Sequence, residues 1–298
     1  MILQTKHKIF IASLAYHPIR WFRKALGKSD RGKFTRSGLN WELDLGEVVD
    51  FMIYLRGAFE PELNRFLRSQ LKPGDTVLDV GANVGAHSLT MARAVGKKGA
   101  AYAIEATEYA YSKLKNNIGL NPDIGASIRP LHCMLLAELP DDHANNDAVS
   151  LPSSWPFATQ EPRHGTHQGV YKGIGAARRL TLDALTDECG LTRLDWVKID
   201  VDGNEWDVLA GGKATLSTLK PCLIMEAALD YNEADDIKSF KNIHKLLGDL
   251  GYTLFRLSGE ALPLSMEGLS RIIPRGSSMN VLALPQGTTP ASLNSIDG

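Results

Sequence analysis

The stretch Val77-Leu78-Asp79-Val80-Gly81-Ala82-Asn83-Val84-Gly85-Ala86-His87 leaves this chain few folds to choose from. A short apolar, β-branched run delivers the backbone to a turn holding two glycines. Beyond it a helical spacing runs through Leu89, Met91, Ala92 and Val95 to Gly96. Strand, glycine turn and helix in that order make the first half of a βαβ unit. Glycine permits the tight turn and lets a ligand come close to the backbone. The helix start offers unpaired N–H groups and a partial positive charge.

The alternation then repeats. Residues 100–105 read as a second strand, 109–118 as a second helix and 126–133 as a third strand. A helix over 181–189 has Thr181 as its cap and Gly190 as its terminator. A strand at 195–200, a helix at 204–219, a strand at 221–226, a helix at 236–250 and strands at 252–257 and 280–284 complete the series. This pattern predicts an α/β domain built on a mainly parallel sheet, and 298 residues give it room for a sizeable core. We place that domain at residues 71–285, behind an N-terminal extension over 1–70 and ahead of a flexible tail over 286–298. The extension begins as a basic preface with Lys24, Lys28, Arg31, Lys33 and Arg36, and a helix is expected over 16–26. Trp41-Glu42-Leu43-Asp44-Leu45 reads as a hairpin arm, and Glu60-Pro61-Glu62 opens another helix. Residues 134–180 show no sustained period. A connection this long inside a domain is usually functional, and Trp155, Phe157 and Tyr171 within it suggest a lid or substrate loop over the site.

Charge and cysteine usage narrow the function. With 33 Lys+Arg against 34 Asp+Glu, the chain has no bulk field to hold a polyphosphate, so nucleic acid is not expected as a partner. Cys133, Cys189 and Cys222 lie far apart among apolar neighbours, as buried thiols of a cytoplasmic protein do. No run reaches the ~20 apolar residues of a membrane span. The run from Ile9 to Tyr16 is short and is followed by Arg20 and Arg23; it reads as a helix packed on the main domain, with a surface or membrane-interface helix as the alternative and no stable membrane insertion. A homo-oligomer stays open.

The glycine turn also says what it holds. Its spacing is G-x-x-x-G, whereas dinucleotide enzymes use G-x-G-x-x-G to seat a pyrophosphate on the helix start. Asp79, just before the first glycine, would repel a pyrophosphate but would accept hydrogen bonds from an ammonium. Glu105 ends the second strand 24 positions after Gly81, where an acid can hold ribose hydroxyls. A cationic amino acid joined to a ribose fits both, which points to S-adenosylmethionine, with Asp79, Gly81, Ala82, Asn83, Gly85 and Glu105 as its expected binding residues. A turn cap at Asp79 and a surface charge at Glu105 are the plain structural alternatives. A nicotinamide-dependent oxidoreductase on a similar sheet and a non-catalytic cofactor-binding scaffold are the alternative functions.

On these residues the chain resembles the FkbM family of S-adenosylmethionine-dependent methyltransferases. The resemblance rests on residues 77–85, on Ile104-Glu105, on Asn117 with Leu120-Asn121, and on Leu180-Thr181-Leu182-Asp183-Ala184-Leu185. Its most specific part is Lys198-Ile199-Asp200-Val201-Asp202-Gly203-Asn204-Glu205, and it continues through Leu209 to Gly212 and Ile224-Met225-Glu226. It implies a Rossmann-like, mainly parallel seven-stranded sheet flanked by helices, and methyl transfer, often to a hydroxyl oxygen of a sugar or polyketide. Two positions depart from the family pattern: Ala106-Thr107 follows the second-strand acid where proline is common, and Asp202 stands where glutamate is common.

Ligands of open α/β sheets lie outside the carboxyl ends of the strands. Lys198, Asp200 and Asp202 stand at that end of the fourth strand and Glu226 at the end of the fifth. Three readings fit them. Lys198 would pair with Asp200 or Glu226 in a structural ion cluster. One carboxylate would serve as general base for an acceptor hydroxyl. Or Asp200, Asp202 and Glu226 would hold a divalent cation such as magnesium. His164 and His167 on the lid are further base candidates, and His87 in the glycine-turn helix is a packing or cofactor-proximal group. His132 reads as a strand residue and His244 as a helix-surface one. Trp155, Phe157 and Tyr171 would offer flat faces to a sugar acceptor, and Arg163, Arg178 and Arg179 would suit an anionic one.

Overall fold

The computed structural model describes residues 5–139, 149–159, 161–163, 168–229, 240–263, 266–274 and 277–288. The chain opens with helix α1 (Thr5–Ala25), the hairpin β1 (Arg31–Arg36) and β2 (Leu39–Asp44), and helices α2 (Val48–Arg56) and α3 (Pro61–Gln70). Then come β3 (Thr76–Val80), α4 (Ser88–Val95), β4 (Ala100–Glu105), α5 (Glu108–Gly119), the single turn α6 (Pro122–Gly125) and β5 (Ile128–Leu135). A second hairpin, β6 (Ser150–Ser154) with β7 (Val170–Gly173), precedes β8 (Arg178–Leu180), α7 (Leu182–Glu188), β9 (Trp196–Ile199), α8 (Glu205–Ala210) and α9 (Lys213–Thr218). Strand β10 (Cys222–Ala227), α10 (Phe240–Asp249), β11 (Tyr252–Arg256), α11 (Met266–Ile272) and β12 (Met279–Pro285) close the fold.

The main sheet has the order β11-β12-β10-β9-β3-β4-β5-β8. Strands β8, β5, β4, β3, β9 and β10 pair in parallel, and β12 runs antiparallel between β10 and β11. The seven expected strands are all present, in a Rossmann-like order whose direction of growth reverses between β3 and β9. The short β8 extends the sheet by one strand beyond the expected seven.

Residues along each strand alternate between two cores. Leu78, Val80, Ile104, Val197, Ile199, Leu223, Met225, Val281 and Ala283 belong to one. Val77, Ala101, Ala103, Ile224, Leu282 and Leu284 belong to the other, together with Trp41, Phe51, Leu63, Phe66 and Leu67 from the N-terminal segment. By that period Asp79, Glu105, Lys198, Glu226 and Asn280 all share the second face, the first four at or near the carboxyl ends of their strands and Asn280 at the amino end of the antiparallel β12, opposite Glu226. The N-terminal elements therefore cover the face that carries the charged groups.

Several expected boundaries shift. The first helix begins at Thr5 rather than 16, with Pro18 inside it. The helix expected over 204–219 is two helices parted at Gly211-Gly212, and a Cβ on Gly211 would lie 2.1 Å from the Leu136 carbonyl oxygen. The third strand starts two residues later, since Ser127 N–H turns back onto the Ile124 carbonyl. Of the expected lid over 134–180, the described residues include the end of β5, the β6–β7 hairpin and β8, joined by irregular segments. The expected helix positions 236–239 and the tail beyond residue 288 lie outside the described residues.

Candidate active site

A cleft opens to solvent at the carboxyl ends of β3, β4 and β9, the sheet's switch point. Its floor includes Val80, Gly81, Asn83, Glu105 and Thr107. One wall is Asp200, Val201, Asp202 and Asn204, and the β6 residues Leu151, Pro152 and Ser153 roof it.

Gly81 is required where it stands. It has φ +80°, and a Cβ there would lie 1.8 Å from the Asp200 carbonyl oxygen. Asn83 follows with φ 48°, a left-handed conformation that asparagine tolerates better than most residues. The turn thereby brings the Asn83 N–H to Glu105, donating to Oε2 at 2.9 Å. Glu105 Oε1 accepts from the Thr107 N–H at 2.8 Å and its hydroxyl at 2.7 Å. Burial raises the Glu105 pKa, against these three hydrogen bonds, which lower it. A carboxylate has about four lone-pair sites, so three bonds leave one open on Oε2, at the cleft. Thr107 also caps α5 and lies 2.6 Å from the Ser153 hydroxyl, which ties the roof to the floor.

Behind the turn sits a buried ion cluster. Lys198 Nζ lies 3.1 Å from Asp79 Oδ1 and 3.3 Å from Asp200 Oδ2. Asp79 Oδ2 accepts from the Ser88 hydroxyl at 2.5 Å. Burial disfavours the Lys198 ammonium, but Asp79 and Asp200 outweigh it and hold the pKa above the ordinary lysine value. Asp79 and Lys198 are each about 2% exposed, whereas Asp200 is 28% exposed and reaches the cleft. Burial also raises the Asp200 pKa; Lys198 opposes this, while Glu60 and Asp202 add to it.

The loop after β9 is held by its own glutamate. Glu205 Oε1 accepts from the Val201 and Gly203 N–H groups, each at 3.2 Å. Burial pushes its carboxyl up to about 7. Asp202 and Gly203 both take left-handed φ there, 51° and 98°. Glu226, accepting from Ser278, has its pKa raised well above normal by burial and by Asp200, Asp202 and Glu205.

Of the expected binding residues, Gly81, Asn83 and Glu105 line the cleft, while Asp79, Ala82 and Gly85 lie outside its lining. Asp79 faces Lys198 and Ser88, so its contact is with the protein's own ammonium. Asp200 and Asp202 line the cleft; Lys198 braces Asp200 from behind, and Glu226 lies outside the lining. Among the described residues no group of three or more His, Cys, Asp or Glu could hold a metal ion. The donor set Asp200, Asp202 and Glu226 thus does not fit the magnesium expectation: an ammonium already stands beside Asp200, and Glu226 is shifted towards its neutral form. His164 and His167 lie outside the described residues. His132 stacks on Tyr111 with centroids 4.5 Å apart, and His244 is half-buried in α10.

Glu60, Ser88, Thr107 and Ser153 were not singled out as site residues from sequence. Glu60 Oε2 lies 3.4 Å from His87 Nε2 and 3.5 Å from Asn280 Nδ2. No local signal reveals a contact across 220 positions; a threonine directly before a helix start was the available sign for Thr107.

Residues 79–254 match the profile of the FkbM methyltransferase domain. The chain is 25% identical over 186 residues to the hexuronic acid methyltransferase AglP of Haloferax volcanii, covering 62% of this chain and 69% of that one. It is 26% identical over 158 residues to the 2-O-methyltransferase NoeI of Sinorhizobium fredii, covering 49% of this chain and 60% of that one. The solved FkbM methyltransferase of Methylobacillus flagellatus aligns with a TM-score of 0.42 at 16% identity, over 72% of this chain and 44% of that one. The domain match extends from the β3 carboxylate through the cleft-forming strands to β11, and the chain belongs to the FkbM family of methyltransferases.

Proposed function

We propose that this chain methylates a hydroxyl oxygen of a sugar or another small biosynthetic acceptor, using S-adenosylmethionine as donor. The observation that carries the donor assignment is Glu105: a buried carboxylate held by Asn83 and Thr107, with one lone pair left for a ribose hydroxyl at the cleft floor. Gly81 keeps the neighbouring backbone free of side-chain bulk, so a nucleoside can lie against it. When bound, the donor supplies an electrophilic methyl group on a sulfonium. The hexuronic acid named for AglP supports a carbohydrate acceptor, and the 2-O-methylation named for NoeI supports a hydroxyl oxygen.

The chain's own task is then to align an acceptor hydroxyl and to take its proton. Asp200 suits that task. It reaches the cleft, and Lys198 anchors it from the buried side. Asp202, on the same wall, would orient the acceptor, and the β6 roof would exclude water. The nicotinamide alternative loses its ground, since the turn lacks the middle glycine that seats a pyrophosphate.

Calorimetry with S-adenosylhomocysteine, with turnover measured on hydroxyl-bearing glycans, tests this reading. Glu105→Gln should weaken ligand affinity about tenfold or more, the scale of one lost hydrogen bond to a charged group. Asp200→Asn should lower turnover by about two orders of magnitude while that affinity stays within about threefold, as removal of a general base does. Absence of binding by both donor and demethylated product overturns the assignment.

A further inference from the structure

Helix α1 has two apolar faces. Ala12 and Tyr16 are buried and Ala15 and Ile19 pack beside them, seating one face on the protein core. At 100° per residue, Phe10, Ile11, Leu14, Trp21 and Phe22 fall on the opposite side, in a stripe roughly 120° wide. They are exposed to between 53% and 73%, and Leu26 just past the helix is 54% exposed. Six of the nine large exposed hydrophobics of the described residues therefore lie within residues 10–26. Large apolar patches of this kind mark interaction surfaces.

Charge says what covers the stripe. The sequence of α1 holds Lys6, Lys8, Arg20, Arg23 and Lys24 and no acid. Across residues 1–40 there are nine basic residues and one acidic one, in a chain whose overall charge is −1. Arg20 pairs with Asp30 at 2.9 Å and Arg23 lies over the Phe34 and Tyr54 rings, so the charge offered outward is that of the lysines, of which Lys24, Lys28 and Lys33 are exposed. A helix with bulky apolar residues including Trp on one side and cations flanking it matches a surface of anionic lipid, where rings and aliphatics enter the headgroup boundary and cations meet phosphates. A second copy of the chain fits poorly, since two such segments would face each other with cations in excess, the one acid of residues 1–40, Asp30, being already paired with Arg20. No helix among the described residues is long and apolar enough to cross a membrane, so this is an in-plane contact.

We propose that α1 docks the protein in the plane of an anionic phospholipid surface through Phe10, Ile11, Leu14, Trp21, Phe22 and Leu26. The contact bears on the cleft through the Tyr16 ring, which stacks on Phe157 at a 4.2 Å centroid distance, in the segment that follows the roofing strand β6. Docking holds whether or not the donor and acceptor are those proposed above.

Co-sedimentation with vesicles tests it, using phosphatidylcholine alone and phosphatidylcholine mixed with phosphatidylglycerol. The full chain should pellet with the mixed vesicles, and raised salt should weaken this. Leu14→Glu/Trp21→Glu should reduce partitioning about tenfold or more, by loss of apolar contact and added repulsion. Lys24→Glu/Lys28→Glu, which leaves the stripe intact, should reduce it as well. Both variants should keep the wild-type melting temperature and affinity for S-adenosylhomocysteine. Failure of the wild-type chain to pellet overturns the proposal, as does equal pelleting with neutral vesicles or full retention by the first variant. A concentration-dependent dimer, or RNA binding, in a chain that ignores vesicles gives the surface to another partner and equally overturns it.

Discussion

At the scale of single residues, the site is organised by charges that the protein neutralises itself. Asp79 was read from sequence as a partner for the donor's ammonium, but the ammonium beside it is Lys198. Its substitution is therefore expected to act first on stability. Asp79→Asn keeps the shape and the Ser88 contact but leaves a buried lysine with one carboxylate, so urea unfolding should show a loss of about 3 kcal/mol. A loss below ~1 kcal/mol together with a tenfold drop in donor affinity would return Asp79 to the donor. Glu205 gives a pH signature. Its folded-state pKa of about 7 lies above the ordinary 4.5, so the folded chain holds more protons than the unfolded one between those values. Stability contributed by this group is thus present below the lower value and lost as pH rises across the window, by roughly 3 kcal/mol for 2.5 pK units. Glu205→Gln retains an oxygen for the Val201 and Gly203 N–H groups. Its melting temperature should fall less than that of the wild type between pH 5 and pH 8. Gly81, Glu105 and Asp200 were legible because each stands at a strand end in a recognisable order. Glu60 and Ser153 were not, because their roles arise only when distant segments meet.

At the scale of elements, most strands were legible because each is a short apolar run buried on both faces, and such runs tell their own length. What the local pattern hid is how the N-terminal hairpin attaches. Asn117 on α5 and Asn121, between α5 and α6, treat β2 as a neighbouring strand would. Asn117 Oδ1 accepts from the Glu42 N–H at 2.8 Å while Nδ2 donates to the Val84 carbonyl at 2.9 Å. Asn121 accepts from the Asn40 N–H and donates to the Asn40 carbonyl, at 2.9 and 2.7 Å. Two asparagine side chains thus cap the free edge of a two-stranded sheet and link it to the glycine turn, a use of asparagine that the sequence resemblance marked without explaining. Asn117→Ala would leave a strand N–H and a turn carbonyl unpaired, so chemical denaturation should register a loss of about 2–4 kcal/mol. Asn117→Asp, which keeps the acceptor, should recover part of it. Glycine at 211, where the helix splits, has the opposite origin: close approach of the Leu136 backbone leaves no space for a Cβ, and that approach cannot be read from a helical period.

At the scale of the whole molecule, the N-terminal segment supplies ten of the 26 buried residues of the second core. Its Trp41, Phe51, Phe66 and Leu67 are at most 2% exposed and share that core with Val77, Ala103, Ile224 and Leu282 of the sheet. The roof over the cleft rests on the same segment. Glu47 accepts from the Ser154 hydroxyl and the Trp155 N–H, each at 2.8 Å, and Phe157 lies between Tyr16 and Phe51. Roof, extension and sheet are therefore linked through a few aromatic contacts, each worth about 0.5–1.5 kcal/mol beyond its buried area. Phe157→Ala removes the ring from both contacts while leaving the Glu47 hydrogen bonds in place. Local opening of the roof should then become easier without global unfolding. Amide exchange in Ser150–Ser154 should quicken about tenfold while Cys222–Ala227, at the centre of the sheet, keeps its protection. Equal acceleration in both segments would mean that the roof and the sheet open as one cooperative unit, and that the aromatic contacts at Phe157 hold the whole fold and not the cover of its cleft.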